Sequence, residues 1–312
     1  MIHAEGLTKR FGAKSAVDDV SFTIKPGMVT GFLGPNGAGK STTMRMIVGL
    51  DRPSAGSVTV NGKPYVQHAA PLREVGVLLD AKAIHTGRSA YNHLLAMGAT
   101  HGIGKARVSE VIGLTGLESV AGKRVGGFSL GMGQRLGIAA ALLGDPATLI
   151  LDEPVNGLDP EGVMWVRNLA RDLAAEGRTI FLSSHLMSEM ALTADHLIVL
   201  GRGRIIADAP VADIISGSAR TSVRLRSPRA EQLAELLRGP DVTITSTELG
   251  LLSITGLQAP TIGEAAARAG IPLHELTPVA ASLEEAYMDL TQDDVEYHTG
   301  TPVTTISEEP AR

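Results

Sequence analysis

The stretch GPNGAGKS, Gly34 to Ser41, is the feature that most constrains how this chain can fold. It matches the pattern G-x-x-x-x-G-K-[ST], directly follows the apolar run MVTGFLG and precedes a helical stretch. Glycines let successive backbone N–H groups wrap around phosphates, and a helix start adds partial positive charge. The pattern predicts a strand, a phosphate-binding loop and a helix. The alternative is a glycine-rich turn before a core helix.

This loop makes ATP and Mg²⁺ the expected cofactors. We expect Lys40 to reach the β- and γ-phosphates and Ser41 to ligate Mg²⁺. The candidate nucleotide-binding residues of the loop are Gly34, Pro35, Asn36, Gly37, Ala38, Gly39, Lys40, Ser41 and Thr42.

Short apolar runs separated by helical stretches continue along the chain. They are MVTGFLG, VGVLLD, TLILDEP, TIFLSSH and HLIVLGRGRI, and each is typical of a buried strand. This pattern predicts a mostly parallel sheet covered on both faces. The alternating runs IHAEGL, SFTI and SVTVNG predict antiparallel strands near the start.

Two acids end the run TLILDEP. Asp152 suits a Walker-B role in holding Mg²⁺, and Glu153 can orient or deprotonate the attacking water as a general base. The alternative is two acids that cap or solvate a strand-to-loop turn. His185 ends TIFLSSH, and its imidazole can hydrogen-bond the γ-phosphate and brace the water held by Glu153. A lone histidine at a strand end is otherwise an ordinary polar residue.

Composition excludes several classes of protein. The 312 residues include no cysteine, which excludes disulfides and thiolate metal sites and indicates a reducing compartment. We expect no signal peptide, and the longest apolar stretch is far below the roughly 20 residues that span a bilayer.

The net charge is −5, and residues 291–312 hold five acids against one arginine, which gives −4. The rest is nearly neutral, so no nucleic-acid partner is expected.

Three units are expected along the chain. Residues 1–217 form the nucleotide-binding domain, in which a helical subdomain covers about 81–145. Residues 219–290 form a small α+β domain that ends in the amphipathic stretch ASLEEAYMDL. The polar residues 291–312 lack periodicity, which predicts a disordered acidic tail.

Five motifs in order carry a family resemblance. The phosphate loop, the helix start FSLGM, LILDEP, NGLD and SSH together resemble the nucleotide-binding domain of an ABC transporter over about residues 1–217. The resemblance implies a P-loop NTPase fold of α/β class, with an N-terminal antiparallel β subdomain and a helical signature subdomain. It implies that Phe11 stacks on adenine, unless it is a core residue, and that Val17 lines the ribose side.

The same resemblance implies a homodimer that sandwiches ATP. In this family two domains meet head to tail, so Ser129 and Gly131 would contact the γ-phosphate bound by the partner. Asp159, in NGLD, would lie in the loop that crosses the dimer seam.

Two motifs depart from the family pattern. The signature is usually L-S-G-G-Q, whereas here Leu130 replaces its first glycine and Met132 its glutamine. Asp80 stands where the family commonly has a glutamine that touches Mg²⁺ and the attacking water. An aspartate can ligate Mg²⁺ but cannot donate an amide hydrogen bond.

The resemblance extends to the daunorubicin-resistance type of bacterial exporter, whose stand-alone ATPase carries a C-terminal α+β extension. It implies a separate transmembrane permease subunit that docks beside Asp80 to Asn92, and a cytoplasmic location on the inner face of the membrane. One alternative is a non-transport ABC ATPase acting on ribosomes or nucleic acid. A GTPase or small-molecule kinase would share the phosphate loop but leave the signature helix unexplained, and no N-K-x-D motif is present.

Overall fold

The computed structural model describes residues 1–81, 83–217, 222–248, 250–279 and 281–291. The disordered tail predicted for residues 291–312 lies outside the described residues, apart from Thr291.

A six-stranded sheet forms the centre of the described structure. Its strands are β3 (Met28–Leu33), β5 (Val75–Leu78), β6 (Thr148–Leu151), β7 (Thr179–Ser183), β8 (His196–Gly201) and β9 (Arg204–Pro210), in the order β5-β6-β7-β3-β8-β9. The first five pair in parallel, and β9 pairs antiparallel with β8. Every residue of β6 and β7 is buried, because packed apolar residues cover both faces of the sheet. The mostly parallel core predicted from the apolar runs is confirmed.

The run HLIVLGRGRI was predicted as one strand, and that extent is wrong. It forms a hairpin of β8 and the start of β9, in which Gly201 pairs with Arg204. Arg202 has φ +44° and Gly203 has φ +80°. Two consecutive residues with positive φ form the tight turn whose twist suits an antiparallel hairpin. The chain therefore reverses at Arg202 and Gly203, between two strands that were predicted as one.

An antiparallel sheet near the start of the chain packs against the central sheet. It contains β1 (Ile2–Phe11), β2 (Lys14–Ile24) and β4 (Ala55–Val60), in the order β2-β1-β4. The rings of Phe22, Phe32 and Phe181 join the two sheets, with centroids 5.1 to 6.2 Å apart. This confirms the N-terminal antiparallel subdomain.

Helices cover the central sheet and form the predicted helical subdomain. In the latter lie α3 (Ala90–Ala99), α4 (Lys105–Leu114) and α5 (Leu130–Leu142), which share a core of Leu94, Val108 and Leu136. The other helices of the first domain are α1 (Lys40–Ile47), α2 (Pro71–Glu74), α6 (Pro160–Ala175), α7 (Met187–Thr193) and α8 (Val211–Ser216). In the described ranges, no helix is long and apolar enough to cross a membrane.

A second, antiparallel sheet follows residue 221. Its order is β11-β12-β10-β13, from β10 (Ser222–Arg226), β11 (Thr243–Glu248), β12 (Leu251–Thr255) and β13 (Glu275–Val279). It shares a hydrophobic cluster with α9 (Ala230–Leu237) and α10 (Ala259–Arg268).

The last described helix, α11 (Leu283–Thr291), returns to the first domain. It packs against α7 and α8, and its Leu283, Ala286 and Tyr287 are buried in the main hydrophobic cluster of that domain. Burial raises the pKa of the Tyr287 hydroxyl to about 12.

Candidate active site: a phosphate-binding cleft

Three neighbouring strands end at the same edge of the central sheet. The phosphate loop follows β3, Asp152 and Glu153 follow β6, and His185 follows β7. Because β6, β7 and β3 are adjacent and parallel, their carboxyl ends bring these segments together. Open α/β sheets bind ligands at this kind of edge.

The phosphate loop depends on a glycine at position 39. Gly39 has φ +108°, and a Cβ built there would lie 2.4 Å from the carbonyl oxygen of Ala16. The next residue, Lys40, is buried, and its ammonium donates to the carbonyl oxygens of Gly34 at 2.6 Å and Pro35 at 3.3 Å. Burial lowers the pKa of Lys40, while the nearby carboxylates of Glu153 and Asp152 raise it.

Asp152 links the loop to β7. The Ser41 hydroxyl donates to Asp152 Oδ2 at 2.7 Å, and the Ser183 hydroxyl donates to Asp152 Oδ1 at 2.5 Å. A hydroxyl and a carboxylate are hard oxygen ligands, and Mg²⁺ is usually held by one or two such groups together with substrate phosphates. The Ser41–Asp152 pair beside the phosphate loop therefore fits that cation.

Glu153 has a left-handed backbone, with φ +50°. For a residue with a side chain this conformation costs about 1–3 kcal/mol, so the surroundings must hold it. The Glu153 N–H donates to Ser183 Oγ at 2.9 Å, and its carbonyl oxygen accepts from Gln134 Nε2 at 3.0 Å. Side chains from β7 and α5 thus hold both polar groups of its main chain, and the main-chain N–H of Asn156 also donates to the carbonyl oxygen, at 3.2 Å.

The Glu153 carboxylate contacts His185. His185 Nδ1 lies 2.7 Å from Glu153 Oε2, and the His185 main-chain N–H donates to the same oxygen at 3.3 Å. The His185 side chain is 55% exposed, whereas that of Glu153 is 22% exposed. A protonated imidazole donates from both nitrogens, so it can hold Glu153 at Nδ1 and still offer Nε2 to a second acceptor.

These segments surround a cleft of about 550 Å³. The cleft brings together ten of the residues predicted from sequence: Pro35, Asn36, Gly37, Gly39, Lys40, Ser41, Thr42, Asp80, Asp152 and Glu153. Asp80 is exposed at its rim. Residues that were not singled out as ligands also line it, namely Ala16, Leu79, Ala81, Leu130, Gln134 and Asn156.

Several other predicted residues lie outside the cleft lining. Val17 is fully buried, while its neighbour Ala16 faces the cleft. Ala38 is buried, and Gly34 contributes its carbonyl oxygen to Lys40. Phe11 is 54% exposed at the end of β1, with the ammonium of Lys9 5.1 Å from its ring centroid.

Ser129, Gly131 and Asp159 also lie outside the lining of their own chain's cleft. Exposed Ser129 caps α5 by accepting from the N–H of Met132 at 3.2 Å. Exposed Asp159 caps α6 by accepting from the N–H of Gly162 at 2.9 Å. Each side chain accepts a main-chain N–H in the first turn of its helix and remains exposed to solvent.

Leu130, the departure from the usual signature, has a definite packing partner. Gly157 has φ +74°, and a Cβ there would lie 2.3 Å from Leu130 Cδ2. A Cβ at Gly131 would lie 2.9 Å from the Gly157 carbonyl oxygen. The start of α5 and the loop before α6 therefore pack closely, and glycines at both positions permit it.

Comparisons with known proteins decide the family. A family model described as "ABC transporter" matches residues 17–156. YhcH of Bacillus subtilis, an uncharacterized ABC transporter ATP-binding protein, is 34% identical over 300 residues, which is 95% of this chain and 97% of the relative. The chain belongs to the ABC transporter ATP-binding family. It therefore binds ATP and hydrolyses it.

Other ABC relatives match to similar degrees. The Nod factor export ATP-binding protein I of Rhizobium sp. (strain N33) is 35% identical over 301 residues, 95% of this chain and 98% of that protein. The bacitracin transport ATP-binding protein BcrA of Bacillus licheniformis is 41% identical over 213 residues, 67% of this chain and 70% of that protein.

A solved ATP-binding subunit of an ABC transporter superposes with a TM-score of 0.64 at 27% identity, covering 69% of this chain and 92% of that one. A model for an AAA domain, described as a putative AbiEii toxin of a type IV toxin–antitoxin system, matches residues 124–191. One for a domain of unknown function matches residues 221–284.

Ser183 and Gln134 hydrogen-bond to the predicted residues Asp152 and Glu153 but were not themselves predicted from the sequence. Ser183 ends a fully buried strand, so it resembles a core residue, and its adjacency to His185 is the one available signal. Gln134 is buried on the signature helix, and its contact with Glu153 depends on how α5 packs over the sheet.

We expect Ser183→Ala to lower kcat for ATP hydrolysis about tenfold, because the lost hydroxyl leaves Asp152 and the Glu153 N–H without their shared partner. Steady-state ATPase assays check this result. Ser216→Ala removes an exposed hydroxyl far from the cleft and should leave kcat unchanged. Equal rates for both variants would show that Ser183 does not organise the site.

Proposed function

We propose that the chain is the ATP-hydrolysing subunit of an exporter for a drug, a lipid or another amphiphile. The observation that carries this proposal is the similarity to the Nod factor export protein, which spans 95% of the chain and so includes the C-terminal domain. The 41% identity to the bacitracin transport protein supports it.

In this proposal the residues predicted from the sequence divide the binding of ATP and Mg²⁺ between them. The loop N–H groups and the Lys40 ammonium hold the β- and γ-phosphates. Ser41 and Asp152 hold Mg²⁺, with Asp80 as a further oxygen ligand at the rim. Bound Mg²⁺ supplies charge neutralisation to the phosphates. Phe11 stacks on adenine, and Val17 supports the ribose side from behind Ala16.

Glu153 and His185 carry the hydrolytic step in this proposal. Glu153 orients and deprotonates the attacking water, which requires its carboxylate to be held in one direction. Protonated His185 holds that carboxylate through Nδ1 and donates from Nε2 to a γ-phosphate oxygen. The 2.7 Å contact between the two side chains supports this pairing.

Glu153→Gln is expected to slow hydrolysis by roughly 10²–10⁴-fold, because an amide cannot accept the proton of the attacking water. ATP binding should persist, since Lys40 and the loop are unchanged, and an ATP-bound dimer should accumulate. Single-turnover hydrolysis and size-exclusion chromatography with ATP measure both effects. A variant that hydrolyses ATP within about threefold of the parent rate would contradict the general-base role.

We further propose that two copies meet head to tail and that ATP lies between them. The positions of Ser129, Gly131 and Asp159 support this arrangement, because they are outside their own chain's cleft. The capped start of α5 offers partial positive charge that suits a γ-phosphate. In the dimer this charge would act on the nucleotide of the partner.

Two inactive variants test the dimer by complementation. Ser129→Arg places bulk and a guanidinium at the seam, so this variant should bind ATP yet fail to dimerise. Lys40→Ala removes the ammonium facing the phosphates and should lose ATP affinity. Mixing the two allows one whole site, built from the loop of the Ser129 variant and the signature of the Lys40 variant. We expect partial recovery of ATPase activity, measured against each variant alone.

The ATP affinity of the Ser129→Arg monomer must be measured alongside the ATPase activity of the mixture. If a folded Ser129→Arg monomer no longer binds ATP by titration calorimetry, the signature helix serves its own chain. That outcome would contradict the head-to-tail arrangement.

A separate permease is the proposed membrane partner, which would place this chain on the cytoplasmic face of the membrane. Residues 86–91 run antiparallel to 121–126, with the Val125 N–H donating to the Arg88 carbonyl oxygen at 2.9 Å. The exposed residues of this ribbon include Arg88, Lys123 and Arg124, none of which forms an ion pair within the described residues. We propose that the permease docks on the ribbon.

Co-expression with a membrane protein of about six spans encoded beside this chain tests the partner. We expect the two proteins to co-purify and the permease to stimulate ATP hydrolysis. Because the chain has no cysteine, Thr86→Cys gives a unique crosslinking site on the ribbon, and Ser57→Cys gives an exposed control on β4. Crosslinking from position 57 but not from position 86 would place the permease elsewhere.

A further inference from the structure

Gln134 is a buried polar residue to which the proposed chemistry gives no role. It lies on α5, and only 4% of its surface is exposed. A buried amide is unfavourable unless it is hydrogen-bonded. Its Nε2 donates to the main-chain carbonyl oxygen of Glu153 at 3.0 Å, which joins two residues 19 positions apart.

This contact holds a residue in an unusual conformation. Glu153, at φ +50°, has its N–H fixed by Ser183 and its carbonyl oxygen fixed by Gln134. The same carbonyl oxygen also accepts from the main-chain N–H of Asn156 at 3.2 Å, so Gln134 adds a side-chain donor to this turn. A left-handed residue with a side chain persists only when its surroundings determine it. Gln134 supplies the side-chain part of that constraint at the Glu153 carbonyl oxygen.

The direction of the carboxylate follows from the main chain. The allowed side-chain rotamers depend on φ and ψ, so a rotation of the Glu153 peptide would swing its carboxylate. That carboxylate lies 2.7 Å from His185 Nδ1. A displaced backbone would therefore separate the proposed base from His185 and from the water it must meet.

We infer that Gln134 is a positioning residue for ATP hydrolysis, which acts through Glu153 of its own chain and does not touch the nucleotide. The inference rests on the proposed role of Glu153 as general base. It gives the signature helix a task within its own chain, in addition to the proposed contact with the partner's nucleotide.

The first test uses the full chain with Gln134→Met, which keeps the length of the side chain and removes the donor. We expect kcat to fall about tenfold while KM for ATP stays within about twofold, because the loop is intact. Gln67→Met, at an exposed glutamine far from the cleft, is the matched control. Thermal unfolding of each variant shows whether the fold is retained.

A double variant separates positioning from general support of the fold. If Gln134 acts through Glu153, adding Gln134→Met to Glu153→Gln should cause no further loss of the residual rate. A tenfold loss in both backgrounds would overturn the inference. If Glu153→Gln hydrolyses ATP at the parent rate, Glu153 is not the general base, and the inference about Gln134 fails with that assignment.

The mixed dimer described above tests which chain Gln134 serves. In that dimer the working Glu153 belongs to the Ser129→Arg chain, and the working signature belongs to the Lys40→Ala chain. We expect Gln134→Met to cost about tenfold more activity when added to the Ser129→Arg chain than when added to the other. A larger loss when Gln134→Met is added to the Lys40→Ala chain would show that Gln134 acts through the partner's nucleotide. If the parent mixture shows no activity, one intact site does not suffice for hydrolysis, and the double variant alone decides the role of Gln134.

Discussion

The adjacency of β6, β7 and β3 is the constraint on which the site depends. Parallel strands ending at one edge bring the phosphate loop, Asp152 and Ser183 within hydrogen-bonding distance, although Ser41 and Asp152 are 111 residues apart. The fully buried strands β6 and β7 also fix where each loop begins, because a packed interior resists displacement. The buried strands thus position the residues of the cleft, although their apolar side chains take no part in binding or hydrolysis.

Sequence patterns identified the residue types of the cleft better than their contacts. A phosphate loop has such specific spacing that Lys40 and Ser41 stand out from one sequence, and apolar runs ending in acids indicate Asp152 and Glu153. The hydrogen bonds of Ser183 and Gln134 could not be predicted in this way. They depend on how β7 and α5 lie against β6, which residues distant in sequence determine.

The alternation of strand faces explains a smaller difference. Val17 was expected beside the nucleotide, whereas Ala16 lines the cleft and Val17 is fully buried. Successive residues of a strand point to opposite faces, so an offset of one residue exchanges the surface for the core. The hairpin between β8 and β9 was also missed, because Ile205 was assigned to the apolar run that ends at Leu200, although the glycines and arginines between them are typical of a turn.

The return of α11 to the first domain has a consequence for the order in which the chain folds during synthesis. Leu283, Ala286 and Tyr287 complete a cluster whose other members are supplied by the first domain. Domains generally fold as units as they leave the ribosome, starting from the N-terminus. The first domain therefore exposes the apolar faces of α7 and α8 until α11 has left the ribosome. The small second sheet, β10 to β13, is therefore synthesised after most of the first domain and before α11, the helix that completes the core of that domain.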